Sequence, residues 1–590
     1  MRSDRFVLGF LLVGILLGGT ALSATAAPSG QKPFVDYGHP ALEAINAAYS
    51  AGEISRAEAV MYRAYMVLAP ERLPGRFALS GPVIKDATGI LLELRDEMEL
   101  LPAAMRGEIQ ALLVRPSLPD SREITHFVIH YDASLTAEAY VDVVAGAAET
   151  AWTMYHSTLA WNVPPGDGSI GGGTNLTDCY IQELGSGILG QAHAEFPYAG
   201  GGPNDYTGYF RVSHTIGSES LRQATVAHEY MHVVEFGYSA LSTYSWWMEN
   251  CAMRGEEWAF DDLNEYIPYL PPFFELPYYA LDTHDGSYEY AQITWPMYFC
   301  ERFFPECVEN IWEEMKWLTQ GSFWVASNTV LAPYGYDYES AFLEFKRWCY
   351  YTGSRDDGNH FEEGSIWNMS LAVDRAVSTF PSGEKHPRTE RQPQPLGTSV
   401  CIFVSPGGPA NILEVTFNGP AVTLGVDFIE RLDSGACIEY SMSLDANGDG
   451  TIAIPSFDVC SNVTMLTSMS RAAASAQDFA FWADTTYDAS GVAELDSGKL
   501  VRIHPNFPNP FSLATAIAYS LDAASNVQVR IVDATGRAVR NLYEGVQRPG
   551  NYEITWNRED DAGRTVASGV YYAILDVGGR ELARQMTVLN

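Results

Sequence analysis

The chain has 590 residues, with 73 Asp and Glu against 36 Lys and Arg, and a formal net charge of −37. Such an acidic surface repels nucleic acid and anionic membranes and excludes both as partners. The length calls for several domains.

Residues 1–26 read as a signal peptide. Arg2 and Arg5 give a positive start, Phe6 to Gly19 a short apolar run, and Ala24-Thr25-Ala26 a cleavage signal. Pro28 disfavours a cut after Ala27, which puts it after Ala26. No later stretch reaches membrane-spanning length, so the expected location is secreted or cell-surface, reached through the periplasm, with no transmembrane helix in the mature chain. Residues 27–120 read as helical, from the helix formers of Ala41 to Leu68, interrupted at Gly52, and of Ile90 to Val114, broken at Pro102. A helical stretch in this position is either a propeptide or a permanent part of the fold.

Residues 121–380 form the next unit. Thr125 to Tyr131 reads as a strand and Thr136 to Trp161 as a long helix. The Gly-rich loop Pro164 to Thr174 lacks the Lys and the strand-loop-helix context of a phosphate loop, which excludes nucleotide binding. Strands are expected at Asp178 to Leu184, Ile188 to Phe196 and Tyr209 to His214.

Glu219 to Phe236 contains neither Pro nor Gly and is followed by Gly237, which predicts a helix. Within it, His228-Glu229-Tyr230-Met231-His232 reads H-E-x-x-H. Residues four apart share a helix face, so His228 and His232 can offer two imidazoles to one zinc ion. Glu229 can reach the water in the open position and act as general base. The extended pattern with a third histidine is excluded, because Glu235 and Tyr238 stand where Gly and His would be. Glu249, in Trp246-Trp247-Met248-Glu249-Asn250-Cys251-Ala252, is the expected third ligand, from a second helix. Here the chain resembles the gluzincin metallopeptidases, whose second helix carries W-x-x-E-G-x-A with Glu on zinc; Asn250 replaces the Gly. Glu235, Glu256, Glu257 and Asp261 are rival carboxylates. Glu235 and Glu256 lie seven residues after His228 and Glu249, respectively, and suit groups that orient a ligand. Glu257 and Asp261 read as solvated surface.

Proteolysis also needs a donor for the developing oxyanion. Tyr290 is the first choice, ahead of Tyr288 and His284, before helices expected at Ala291 to Phe304, Val308 to Thr319 and Tyr338 to Tyr351. The order of strands followed by the H-E-x-x-H helix suits a zincin, where an edge strand pairs with an extended protein or peptide substrate. Ile188 to Phe196 is the candidate edge. Residues 40–380 resemble a family of secreted bacterial metalloproteases, which implies a zinc metallopeptidase domain. Eight cysteines in an exported chain permit disulfides, with Cys251 read as either bridged to another helix or a buried thiol.

Residues 381–395 read as a polar, Pro-rich linker and 396–490 as a β-sandwich. In the latter, Asp445 to Thr451 gives the first half of a calcium loop, but Ser456 stands where an EF-hand has Glu. A hairpin turn is the preferred reading. Calcium nevertheless joins zinc as a cofactor expectation, since the acidic surface suits it. Residues 500–590 show short alternating strands, opening on Asn506-Phe507-Pro508-Asn509-Pro510-Phe511 and closing on Ser568-Gly569-Val570-Tyr571-Tyr572. This pattern resembles the type A sorting domain of the type IX secretion system, which is related to the immunoglobulin-like domain of flagellar hook-capping proteins. The resemblance implies the type IX machinery as a partner.

The expected fold is therefore multidomain: an α+β zincin-like metalloprotease domain with an N-terminal helical segment, then two small all-β immunoglobulin-like sandwiches. The expected function is a zinc-dependent metalloendopeptidase. The alternative, from the β-rich C-terminal half, is a non-catalytic secreted or surface-attached binding protein with a structural or vestigial metal site.

Overall fold

The computed structural model describes residues 34–589, apart from 36, 82–83, 169, 171–172, 186, 320–321, 408–411, 434, 487–491, 495–499, 505, 507 and 522. The expected signal peptide, residues 1–26, lies outside the described residues, as does most of the junction at 487–499.

The N-terminal segment opens with α1 (Pro40–Ser50) and α2 (Arg56–Leu68). Gly52, at φ +71°, turns the chain between the helices, and Ser55 starts α2 with a reciprocal Ser55–Glu58 capping box. β1 (Ile84–Asp86) comes next, then α3 (Thr88–Glu97) and α4 (Ala103–Leu112). Leu42, Val60, Ala64, Ile90, Leu94 and Ile109 build a core of their own, to which Leu184 and Ile188 of the following unit are joined. The short strand interrupts a stretch expected to be helical throughout.

β1 is the edge of a six-stranded sheet. The other members are β2 (Asp120–Glu123), β3 (Phe127–Tyr131), β4 (Thr177–Gln182), β5 (Ile188–Pro197) and β6 (Tyr206–Ser213), in the order β1-β5-β6-β4-β3-β2. β3, β4 and β6 run parallel, β5 is antiparallel to β6, and β1 is parallel to β5. Alternation along the strands sends Phe127, Ile129, Cys179, Ile181, Phe210 and Val212 into one apolar core. α5 (Glu138–Trp152) and α6 (Glu219–Phe236) cover that face, α7 (Ser245–Ala259) packs against both helices, and Val226, Tyr230 and Val233 of α6 join the core.

Short helices between 267 and 348 extend this core with packed aromatics, including Trp295 tilted against Phe299 and Phe345. A five-stranded and a three-stranded sheet follow, packed around Phe403, Val415, Phe428, Met465 and Phe481. Arg375–Val377 already belongs to the five-stranded sheet, and Lys385 bridges Phe481. The Pro-rich stretch 381–395 is thus held against the sandwich. Two four-stranded sheets close the chain around Ile517, Val529, Ile531, Trp556 and Leu575. Among the described residues no helix is long and apolar enough to cross a membrane.

Candidate metal centre

α6 begins where the Ser218 hydroxyl accepts the Leu221 N–H at 3.4 Å, and ends at Gly237. Its inward face carries His228, Glu229, His232 and Glu235, all fully buried. Burying ionisable groups costs free energy unless they are compensated, and both histidines are. His228 Nδ1 meets Glu256 Oε1 at 2.7 Å, and His232 Nδ1 meets Glu235 Oε2 at 2.8 Å. By the logic of this network each carboxylate holds a proton on Nδ1 and leaves the Nε2 lone pair unprotonated.

Those two Nε2 atoms face each other at 3.2 Å. Glu249 Oε2, delivered by α7, is 3.2 Å from His228 Nε2 and 3.6 Å from His232 Nε2. Three electron-pair donors converging in this way repel one another unless a cation lies between them. A tetrahedral ion about 2.0–2.1 Å from each donor requires donors about 3.3 Å apart. The donor set therefore fits a zinc-like divalent ion. Asn250, where the resemblance expects Gly, donates from Nδ2 to Trp246 O at 2.6 Å and Glu289 O at 2.8 Å, which ties α7 to the turn of helix at Tyr288–Ala291.

A fourth donor was not visible in the sequence. Asp86 of β1 is buried, with Oδ2 3.6 Å from His232 Nε2; one donor atom each from Asp86, His228, His232 and Glu249 lies within 4.8 Å of the others. The Thr88 N–H and hydroxyl donate to its carboxylate at 2.8 and 2.7 Å. Next to it, Lys85 Nζ is 2.9 Å from Glu256 Oε1 and 4.4 Å from the Tyr269 ring centroid.

Both Glu229 carboxylate oxygens are buried without a hydrogen-bond partner. Gly190 of β5 makes room for this side chain, since a Cβ there would stand 2.0 Å from Glu229 Oε1. Burial, and then the Asp86 charge, push the Glu229 carboxyl well above its usual range. Glu249 shows the opposite balance. Burial pushes its carboxyl up, but the His232 and His228 rings outweigh that and hold it well below the usual range.

Tyr290 is buried beside the site, its ring centroid 6.2 Å from that of His228. Burial and the Glu249 charge raise its phenol, which keeps the O–H as a donor. Tyr288 and His284 are engaged elsewhere: Tyr288 Oη donates to Leu276 O at 3.2 Å, and His284 pairs with Ser245 Oγ at 2.9 Å and Glu289 Oε1 at 3.1 Å. Asp261 is exposed, but Glu257 is 3% exposed, against the expectation of a solvated group. Its carboxyl is pushed up to about 8 by burial and then by Glu363. The eight cysteines are all unpaired, so Cys251 is not bridged; its sulfur accepts the Trp312 indole N–H at 3.4 Å. Asp445 Oδ1 accepts the Asn447 and Asp449 N–H groups at 2.8 and 3.0 Å, closing the turn at the expected half calcium loop.

Residues 513–575 match the family described as FlgD Ig-like domain. A search of curated proteins found no match to the chain. Among solved structures, PorZ, a surface component of the type IX secretion system of Porphyromonas gingivalis, is 25% identical over 19% of this chain and 14% of its own, with a TM-score of 0.12. Latent PorU from the same organism is 20% identical over 28% of this chain and 16% of its own, with a TM-score of 0.16. A β-1,2-glucanase from Parabacteroides distasonis is 11% identical over 36% of each chain, with a TM-score of 0.12. The C-terminal region is thus similar to the FlgD immunoglobulin-like domain.

Proposed function

We propose that this chain is an exported, zinc-dependent metalloendopeptidase with a zincin-like catalytic unit. The observation that carries the reading is the convergence of His228 Nε2, His232 Nε2 and Glu249 Oε2, with both imidazoles oriented from behind by Glu256 and Glu235. Zinc bound there supplies a Lewis acid that lowers the pKa of water and polarises a carbonyl. Burial raises the Glu229 carboxyl and leaves its oxygens without a hydrogen-bond partner, so its carboxylate form is a strong base and takes a proton from water. The water oxygen bonds to the peptide carbon, the C–N bond breaks, and Glu229 passes its proton to the leaving nitrogen. Tyr290 donates its phenol O–H to the developing oxyanion.

Glu229→Gln tests this. One zinc per chain is expected to remain, while cleavage of a casein-like substrate falls by about 10²–10⁴, the usual contribution of a general base. Unchanged turnover would refute the assignment. The rival reading, a non-catalytic binding protein, draws on one observation: with Asp86 the site has four protein donors, the closed shell of a structural ion.

The C-terminal domain supports export through the type IX machinery. Its Asn506 side chain donates to Thr515 Oγ1 at 2.8 Å, and Phe511 and Thr587 are joined by a 3.0 Å backbone bond that pins the opening motif to the last strand. Deleting residues 500–590 is expected to leave the chain in the periplasm of a type IX-competent host, read by fractionation. Normal surface delivery of the truncated chain would remove this role.

A further inference from the structure

β5 is the strand on which an extended substrate is expected to add, and the chain's own β1 already lies along it. The Ile84 N–H donates to Gly187 O at 3.0 Å and the Ala87 N–H to Gly190 O at 3.3 Å. The Ala192 N–H, further along β5, donates to Thr88 Oγ1 at 2.8 Å. Asp86 stands in register with Gly190, the residue whose missing side chain admits Glu229. The strand thus sets its one carboxylate at the donor cluster, beside the proposed base. Its neighbour Lys85 takes the carboxylate that orients His228.

The segment that carries β1 builds most of one apolar core, which Leu184 and Ile188 join, and a second cluster from Ile45, Ala48, Ile54, Ala59 and Phe77, while Leu92 packs into the core of the sheet. After α4, the chain crosses to β2 without regular structure, and Val114 is 67% exposed. The very next residue, Arg115, is fixed to the sheet by ion pairs with Asp167, Asp178 and Glu195. A cut beside Val114 leaves the new N-terminus anchored and the helical segment attached by its packing, by β1, by the Lys85–Glu256 ion pair and by hydrogen bonds of Thr88, Arg95 and Asp96 to Ala192, Ala240 and Ser242.

We propose that the segment ending at Val114 is a latency device: β1 fills the peptide-binding edge of β5, and Asp86 takes the coordination position that the reacting water needs. Hydrolysis of one peptide bond beside Val114, by a second peptidase or another copy of this chain, lets the segment leave. The Gly187 and Gly190 carbonyls then receive the backbone N–H groups of a substrate, and the site becomes three-donor and open. This inference rests on the metallopeptidase reading above, and it reconciles a four-donor site with catalysis.

The test uses the full exported chain with a sequence-specific protease site inserted between Leu113 and Val114, loaded with Zn²⁺ or Co²⁺, before and after cutting and removal of the segment. Metal content is expected to stay at one ion per chain. The visible spectrum of the Co²⁺ form changes as a carboxylate donor is lost, and the Ala192 amide exchanges faster. Cleavage of a casein-like substrate rises by about tenfold or more, because self-occupancy no longer reduces the competent fraction. Asp86→Asn in the uncut chain keeps an oxygen for the Thr88 N–H and changes the Co²⁺ spectrum in the same direction. One metal in both forms with unchanged spectrum and exchange overturns latency alone. Loss of the metal on removal of the segment also overturns it and makes Asp86 a permanent ligand. Absence of metal from both forms overturns the metallopeptidase reading as well.

Discussion

The six-stranded sheet carries a buried ionic cluster on each face. On the face away from α6, Arg115 pairs with Asp167, Asp178 and Glu195, and His130 Nε2 meets Asp178 Oδ1 at 2.6 Å. The Arg115 guanidinium also lies 4.7 Å from the Tyr209 ring centroid. Burial opposes its charge, but Glu195, Asp167 and Asp178 outweigh that and raise its pKa. On the α6 face, Asp86, Glu229, Glu235, Glu249 and Glu256 surround two imidazoles and Lys85. The first cluster compensates its acids with a fixed guanidinium fork. The second aims its unprotonated donors at one point. Burial and charge alone therefore do not distinguish a structural ionic network from a candidate metal centre; the direction of the donor atoms does.

The largest expected effect breaks the first cluster. Arg115→Met leaves three carboxylates without their cation, which costs about 3–5 kcal/mol, as removal of one partner from a buried ion pair does. Denaturant melts are expected to show this loss while metal stoichiometry stays at one per chain. A loss of metal in step with stability would mean that the two faces are one cooperative unit and that the contrast between them is false.

The α6 side of this contrast was open to sequence reasoning because its determinants are local. The spacing of His228 and His232 sets both rings on one helix face, and Glu235 meets His232 three residues on in the same helix, whereas Glu256 meets His228 from α7, a contact that its seven-residue interval from Glu249 does not give. Glu249 is reached through the pattern around Trp246 and Ala252, since no periodicity links α6 to α7. Asp86 leaves no such trace. A three-residue strand is too short to show alternation, it lies among helix formers, and its contact to His232 is made through the sheet edge. The one local signal, Asp86 followed by Thr88 at a helix start, reads only as a cap. Glu257 reads as solvated because charge normally marks a surface, yet packing buries it.

Glu430, in the sandwich, sharpens the comparison as a buried carboxylate held by a phenol rather than a cation. Its Oε2 accepts the Tyr440 O–H at 2.8 Å, while Oε1 is buried without a partner. Burial chiefly raises its pKa from 4.5 to about 8. The folded state then holds a proton that the unfolded state releases, so stability falls as pH rises from about 4.5 to about 8 and levels off above that. At pH 7 the cost is on the order of 3 kcal/mol. Glu430→Gln keeps an acceptor for Tyr440 and is expected to raise the melting temperature at pH 8 but not near pH 4. Equal melting temperatures at pH 8 would show that this carboxylate is solvated.

The smallest effect bears on the metal side. Glu256→Gln keeps an oxygen for the His228 Nδ1–H but removes the charge that Lys85 and His228 share. Loss of such an orienting carboxylate costs about 10–100-fold in metal affinity, or about 1.4–2.8 kcal/mol. Competition against a chromophoric chelator measures it directly, with Arg115→Met as the reference that is expected to leave affinity unchanged. If Glu256→Gln matches that reference, Glu256 serves only to neutralise Lys85. The His228 ring is then held by packing within α6, and the metal centre resembles the Arg115 cluster more than its geometry implies.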